Sequence, residues 1–250
     1  MFDRYSRLSI DNLYDHRGTL MHKNDIRRSV SNKDCTIHIF RGGDRLDSLS
    51  YAHYGTYDLG WVITDKRGKV YRTRSFINAD IFLGEKDLMQ SAYYAEKIPQ
   101  YIEDLENGSR TLATLYEIRK CLCEDLMEFG IKQIWAHNMF FDLNALNNTQ
   151  RWETKSKYRY FFPYGIEICD TLKIARQLIA TMPSYKRYCE NNGYLTKRNQ
   201  PRLTAEIIYR FISGDENFKE EHKGLQDCLI EKEILKYCYN KHKSMNGKLY

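Results

Sequence analysis

The chain has 250 residues, 42% of them hydrophobic and 14% aromatic, which is enough for one sizeable α/β domain. Its 39 basic and 33 acidic residues leave a net charge of +6, compatible with a nucleic-acid partner and equally with an ordinary solvated surface. No apolar run reaches the ~18 residues of a membrane span, and seven cysteines without a C-x-x-C pair argue against a zinc site or a disulfide framework.

Residues 1–34 are polar and charged, with an Arg27-Arg28 pair, and are expected to be a weakly ordered N-terminal extension. A single domain is expected over 35–245. It opens with a short apolar strand at 36–40 (Thr-Ile-His-Ile-Phe). A second strand at 57–64 and a third at 70–77 follow, joined by the turn Asp65-Lys66-Arg67-Gly68 as an antiparallel hairpin. Residues 85–94 and 97–106 read as helical. A longer amphipathic helix is predicted at 111–129, where Leu112, Leu115, Ile118, Leu122 and Leu126 recur at three- and four-residue spacing. Gly130 ends it, and a buried strand follows at 134–136. A helix is expected from Asp142, a strand at 166–169, a helix at 171–181, interrupted helix over 185–211 with a loop at 193–201, and a closing helix at 224–242. The fold class is α/β, a mixed five-stranded sheet flanked by helices.

Two stretches carry chemistry. In Ile134-Trp135-Ala136-His137-Asn138-Met139-Phe140-Phe141-Asp142 a buried strand runs into a turn, and an acidic residue opens the next helix. A carboxylate there projects past the strand end, where a divalent metal can bridge it to phosphate. Helix capping is the commonplace alternative for such an Asp. In His222-Lys223-Gly224-Leu225-Gln226-Asp227 a loop histidine precedes a helix-opening aspartate by five positions. Histidine titrates near neutrality and is suited to deprotonating water, although an exposed loop His and a surface Asp would look alike. Between the two lies Ile166-Glu167-Ile168-Cys169-Asp170-Thr171-Leu172.

These three elements, in this order over roughly half the chain, resemble the proofreading-subunit-like 3′→5′ exonucleases of the DEDDh branch. The resemblance is to the second motif (His-Asn-x-x-Phe-Asp), the strand-Asp-Thr-Leu-helix element, and the third motif. Residues 154–165 are similar to the mid-region of divergent phage-type members. The resemblance implies a ribonuclease H-like fold and a site of two Mg²⁺ or Mn²⁺ ions. Asp142 and Asp227 would be metal ligands, Phe141 would pack beneath Asp142, and His222 would be the general base. It implies hydrolysis of phosphodiester bonds at 3′ ends of single-stranded DNA or RNA, with a polymerase or replication complex as a further partner and no membrane. The location implied is the cytoplasm, that of the host if the chain is phage-encoded. Asn138, Lys155, Tyr158 and Arg159 are the candidate nucleic-acid contacts. The last three fall where basic residues alternate with tyrosines, a pattern that suits stacking on unpaired bases or a plain charged hairpin.

The pattern breaks at the family's first motif, Asp-x-Glu at the end of the first strand. The strand at 36–40 is followed instead by Arg41-Gly42-Gly43. Asp44 or Asp47 could take the role through a loop shift, Asp44 then being a metal ligand. Alternatively the chain is a catalytically inactive nucleic-acid-binding module, Arg41 favouring phosphate where Mg²⁺ would sit. A third reading is a frame-shifted stretch, because one codon choice for Gly42-Gly43-Asp44-Arg45-Leu46 spells Val-Glu-Thr-Asp one base later. As written, the expected activity is that of an impaired exonuclease.

Overall fold

A computed structural model of the chain describes residues 35–40, 57–90, 95–155, 160–220, 224–241 and 244–250. Six strands form one mixed sheet: β1 (Cys35–Phe40), β2 (Asp58–Asp65), β3 (Val70–Asn78), β4 (Thr111–Ala113), β5 (Gln133–Ala136) and β6 (Glu167–Asp170), in the order β4-β3-β2-β1-β5-β6. β1, β2 and β3 are an antiparallel meander. β4 adds parallel to β3, and β5 and β6 add parallel to β1 and to each other. β1, β5 and β6 therefore end at the same edge of the sheet. β2 begins there, because Phe40 of β1 pairs with Gly60 of β2.

The helices among the described residues are α1 (Ala79–Phe82), α2 (Lys86–Met89), α3 (Ile98–Glu106), α4 (Leu115–Glu128), α5 (Met139–Thr154), α6 (Thr171–Gln177), α7 (Pro183–Asn191), α8 (Ala205–Ser213) and α9 (Gly224–Tyr239). None of them is long and apolar enough to cross a membrane.

The period-two alternation of strand side chains sorts the core into two faces. From β2, Leu59, Trp61 and Ile63 join Leu115, Ile118, Leu122 and Leu126 of α4, with Ile134 and Ala136 of β5. On the opposite face Val62 meets Leu225 and Cys228 of α9. Trp135 there joins Ile174 of α6, Ile208 of α8 and Ile234 and Leu235 of α9. The sheet is thus sandwiched between helical layers.

The expected count of five strands is corrected to six. Residues 111–113, read as the first turn of a helix, are strand β4, pairing with Phe76, Ile77 and Asn78. The reason is local. Thr114 is the N-cap of α4, its hydroxyl accepting from the Glu117 N–H at 3.3 Å while the Glu117 carboxylate accepts from the Thr114 N–H at 2.8 Å. That capping box starts the helix at Leu115, and Leu112, counted as an apolar helical position, is 38% exposed.

The last residues lie along the outer edge of β6. Asp170 N–H donates to Gly247 O at 2.8 Å and Leu249 N–H to Ile168 O at 2.9 Å. A sheet edge left open would expose unpaired donors and acceptors. The tail fits only because residue 247 is glycine: a Cβ there would lie 2.3 Å from Trp135 Cζ3.

Candidate active site

The parallel strands β5 and β6 end side by side, Ala136 pairing with Asp170, and each turns at once into a helix. The two turns are tied together. Asp170 caps α6 by accepting from the Leu172 N–H at 2.8 Å, and the same Oδ1 accepts from the Asn138 N–H at 2.9 Å. The buried His137 ring contacts Thr171 Oγ1 through Nδ1 at 3.0 Å and Leu203 O through Nε2 at 2.7 Å. Asn138 has φ 64° and ψ 47°, the left-handed region that Asn tolerates better than most residues. With the chain bent this sharply, α5 begins at Met139, three residues before the expected start at Asp142.

Asp142 consequently lies inside the first turn of α5, where it is 3% exposed. It is not the cap of the helix, since that position belongs to Asn138. Phe140, two residues earlier, is 55% exposed beside it in the chain.

Across the sheet end, α9 starts at Gly224 and turns a continuous stripe inward. Gly224, Asp227, Cys228, Glu231, Leu235 and Cys238 recur at three- and four-residue spacing, and all are buried. Carboxylates on the core-facing stripe of a helix are unusual, because burying a charge is costly unless hydrogen bonds, a cation or a metal compensate it. Asp227 is 1% exposed and Glu231 3%. The Cys228 thiol is pushed well above its ordinary range, first by burial and then by the carboxylates of Glu231, Asp227, Asp58 and Asp142. Four acidic side chains from β2, α5 and α9, those of Asp58, Asp142, Asp227 and Glu231, therefore act on one interior point.

Among the described residues no group of three or more His, Cys, Asp and Glu side chains is arranged to hold a metal ion. Asp142 and Asp227 supply two carboxylates. Asp44 and His222 lie outside the described residues, as do Tyr158 and Arg159 and the Arg41-Gly42-Gly43 stretch.

Lys155 ends α5 with its Nζ 3.9 Å above the Trp152 ring. It stands thirteen residues from Asp142, roughly 20 Å along the helix. The loop that follows divides its aromatics. Phe161 and Phe162 are buried, with the Phe161 N–H donating to Asn147 Oδ1 and its carbonyl accepting from Arg119 Nε, both at 2.8 Å. Tyr160 and Tyr164 face solvent, 58% and 80% exposed. A surface cleft of about 410 Å³ reaches α9 at Gln226, lined also by Tyr209, Phe218 and Lys219.

Two residues here carried no role in the sequence reading. Glu231 could have been found as the position four after Asp227 on an otherwise apolar stripe. Asp58 opens β2 and is fully buried, forming an ion pair with Arg110 at 2.6 Å.

No family model matches the chain, and no curated protein does. A solved structure, Exonuclease X in complex with 5′ overhanging duplex DNA, is similar with a TM-score of 0.39 at 15% identity, covering 85% of this chain and 96% of that one. A superposition that loose carries no weight for the chemistry of this chain, which rests on its own residues.

Proposed function

We propose that the chain is a divergent, ribonuclease H-like 3′→5′ exonuclease whose site lies where β1, β5 and β6 end. The observation that carries this reading is the pair of buried aspartates, Asp142 and Asp227, in the first turns of two helices that begin at the same edge of the sheet, α5 beyond the end of β5 and α9 beside the start of β2. The strand order β3-β2-β1-β5-β6, antiparallel and then parallel, supports the fold assignment. In open α/β sheets ligands bind beyond the carboxyl ends of the strands, which is where both carboxylates stand.

The donor set fits a hard divalent cation. Mg²⁺ commonly takes one or two protein carboxylates and completes its shell with water and phosphate oxygens, and Asp142 and Asp227 would hold it. When bound, such an ion polarises the phosphate and lowers the pKa of water for attack. The chain's own part is to fix those two carboxylates on rigid helices, to accept a proton at the His222 ring, and to hold the single strand. Exposed Phe140, Tyr160 and Tyr164 offer faces on which bases stack, and Lys155, with Tyr158 and Arg159, extends that track with positive charge. Asn138 serves the turn through its backbone, leaving its side chain available to the strand.

A second reading is favoured by one observation: Arg41 and Gly43 stand where the family carries Asp and Glu. It is a nucleic-acid-binding module on the same scaffold without turnover. Digestion of a 5′-labelled single-stranded oligonucleotide with Mn²⁺ separates the two, run beside Asp142→Ala and an Arg41→Asp/Gly43→Glu double substitution. The exonuclease reading expects 3′ shortening by the natural chain that Asp142→Ala abolishes. Silence in the natural chain with rescue by the double substitution selects the binding module. Silence in all of them removes the exonuclease assignment.

A further inference from the structure

The start of α9 is held from an unexpected direction. Helix N-termini leave backbone N–H groups without intrahelical partners, and a side chain just ahead of the helix usually satisfies them. Here the Gly224 N–H donates at 3.3 Å to Asp58 Oδ2, a carboxylate 166 residues away in sequence on β2. The contact requires two glycines. A Cβ on Gly224 would lie 2.6 Å from Asp58 Oδ1, and one on Gly60 would lie 3.0 Å from Leu225 N and 3.2 Å from Gly224 C. One turn along the helix, Cys228 Sγ donates to Gly60 O at 3.4 Å.

Asp58 is in turn held by Arg110, whose side chain is 3% exposed and ion-paired to it at 2.6 Å. Arg110 is braced on its other sides. Its Nε meets Asp104 Oδ2 at 3.1 Å, and its guanidinium lies 5.0 Å from the centre of the Tyr101 ring. Tyr101 is bonded through its hydroxyl to that of Tyr57, the residue before Asp58, at 3.0 Å. Burial pushes the Asp58 carboxyl upward, and Arg110 and the Gly224 N–H act against that. The arginine thus opposes the effect of burial and favours the carboxylate form of Asp58 at the head of a helix, where negative charge is also favoured by the helix dipole.

We propose that Arg110 and Asp58 are a positioning pair for the site: Arg110 fixes Asp58, Asp58 fixes the first turn of α9, and that turn presents Asp227. Both residues act through the start of α9. The inference rests on the proposed function for its consequence, the placing of a metal-binding carboxylate, while the clamp itself is a matter of structure. Outer partners that orient a metal ligand typically change metal affinity by about 10- to 100-fold when removed.

The test uses the full chain with Arg110→Met and Arg110→Lys. Amide hydrogen exchange is followed over residues 224–231, and Mn²⁺ affinity is titrated by electron paramagnetic resonance. The expected result for Arg110→Met is faster exchange confined to the first turn of α9 and Mn²⁺ affinity lowered about 10-fold or more, with Arg110→Lys recovering part of both. If Arg110→Met does not fold, Gly224→Ala is read in the same way, since its methyl group pushes directly on Asp58. Exchange over 224–231 that stays as in the natural chain overturns the clamp. Faster exchange with unchanged Mn²⁺ affinity overturns its role in positioning Asp227. If the natural chain binds no Mn²⁺, the metal-dependent function falls and the positioning of a metal ligand with it, while the exchange data still decide whether the clamp exists.

Discussion

Replacing Asp125 by alanine removes the acceptor at the centre of a buried network beneath the sheet. Asp125 projects from α4 with its side chain 1% exposed. It accepts from Trp61 Nε1 at 2.8 Å, from Arg72 Nη1 at 2.6 Å, and from Arg74 Nε and Nη2 at 3.1 and 3.2 Å. These donors do not suffer equally from its loss. Arg72 keeps both of its bonds to Glu128, and the Arg74 side chain is 38% exposed and can turn to water. Trp61, 1% exposed, has no such escape. An orphaned buried donor costs about 1–3 kcal/mol, and the bonds lost to half-exposed arginines add about 1 kcal/mol. The expected destabilisation is therefore about 2–4 kcal/mol, or a fall in Tm of roughly 5–15 °C for a chain of this size. Urea melts of the natural chain, Asp125→Ala, Trp61→Phe and the double variant measure it. Trp61→Phe keeps the ring but removes the donor, so the two changes should couple by about 1–2 kcal/mol. A loss below about 1 kcal/mol for Asp125→Ala, or additive single effects, would refute the view that the Trp61 N–H dominates.

Two further outcomes follow from local geometry. Asn138→Gly suits the left-handed backbone at φ 64° and should leave Tm unchanged, whereas Asn138→Ala should lower stability by about 1 kcal/mol. If the Asn138 side chain also contacts nucleic acid, fluorescence anisotropy with a single-stranded oligonucleotide will show weaker binding by Asn138→Gly at unchanged Tm; equal binding would assign the residue to the turn alone. The Glu153 carboxyl is pushed up to about 8, first by burial and also by Asp80, against a bond from Asn78 that lowers it. An acid with a raised folded pKa binds more protons when folded. Its contribution to stability is therefore present below the ordinary value of 4.5 and is lost as pH rises to about 8. Glu153→Gln should flatten the dependence of Tm on pH across that window, and an unchanged profile would show that the carboxyl is not protonated in the folded chain.

Much of the fold is legible from pattern. The strands at 57–64 and 70–77 are rich in aromatic and β-branched residues and are separated by a Gly-containing turn, and the structure pairs them with Asp58 opposite Ile77. β5, announced by Ile134-Trp135-Ala136, is buried on both faces, as a short apolar run between helices implies. The misreading at 111–113 has a specific cause. Leu112 continues the helical periodicity of Leu115 and Ile118 by coincidence, while the Thr114/Glu117 capping box, also visible in the sequence, carries the stronger signal of where the helix begins.

The sequence by itself determined the order of strands and helices apart from β4, and it singled out the two aspartates as candidates, because periodicity, caps and short motifs are local properties of the chain. Only the tertiary structure decided what surrounds those aspartates. Glu231 becomes part of the site when its stripe of α9 is laid against β2, and Asp58 becomes a cap for that helix across 166 residues of sequence. Arg110 matters for the same reason, as a buried partner brought in from the far edge of the sheet. Contacts of this kind leave no spacing to read, since the energy that selects them comes from charges and backbone donors buried together only after the chain has folded.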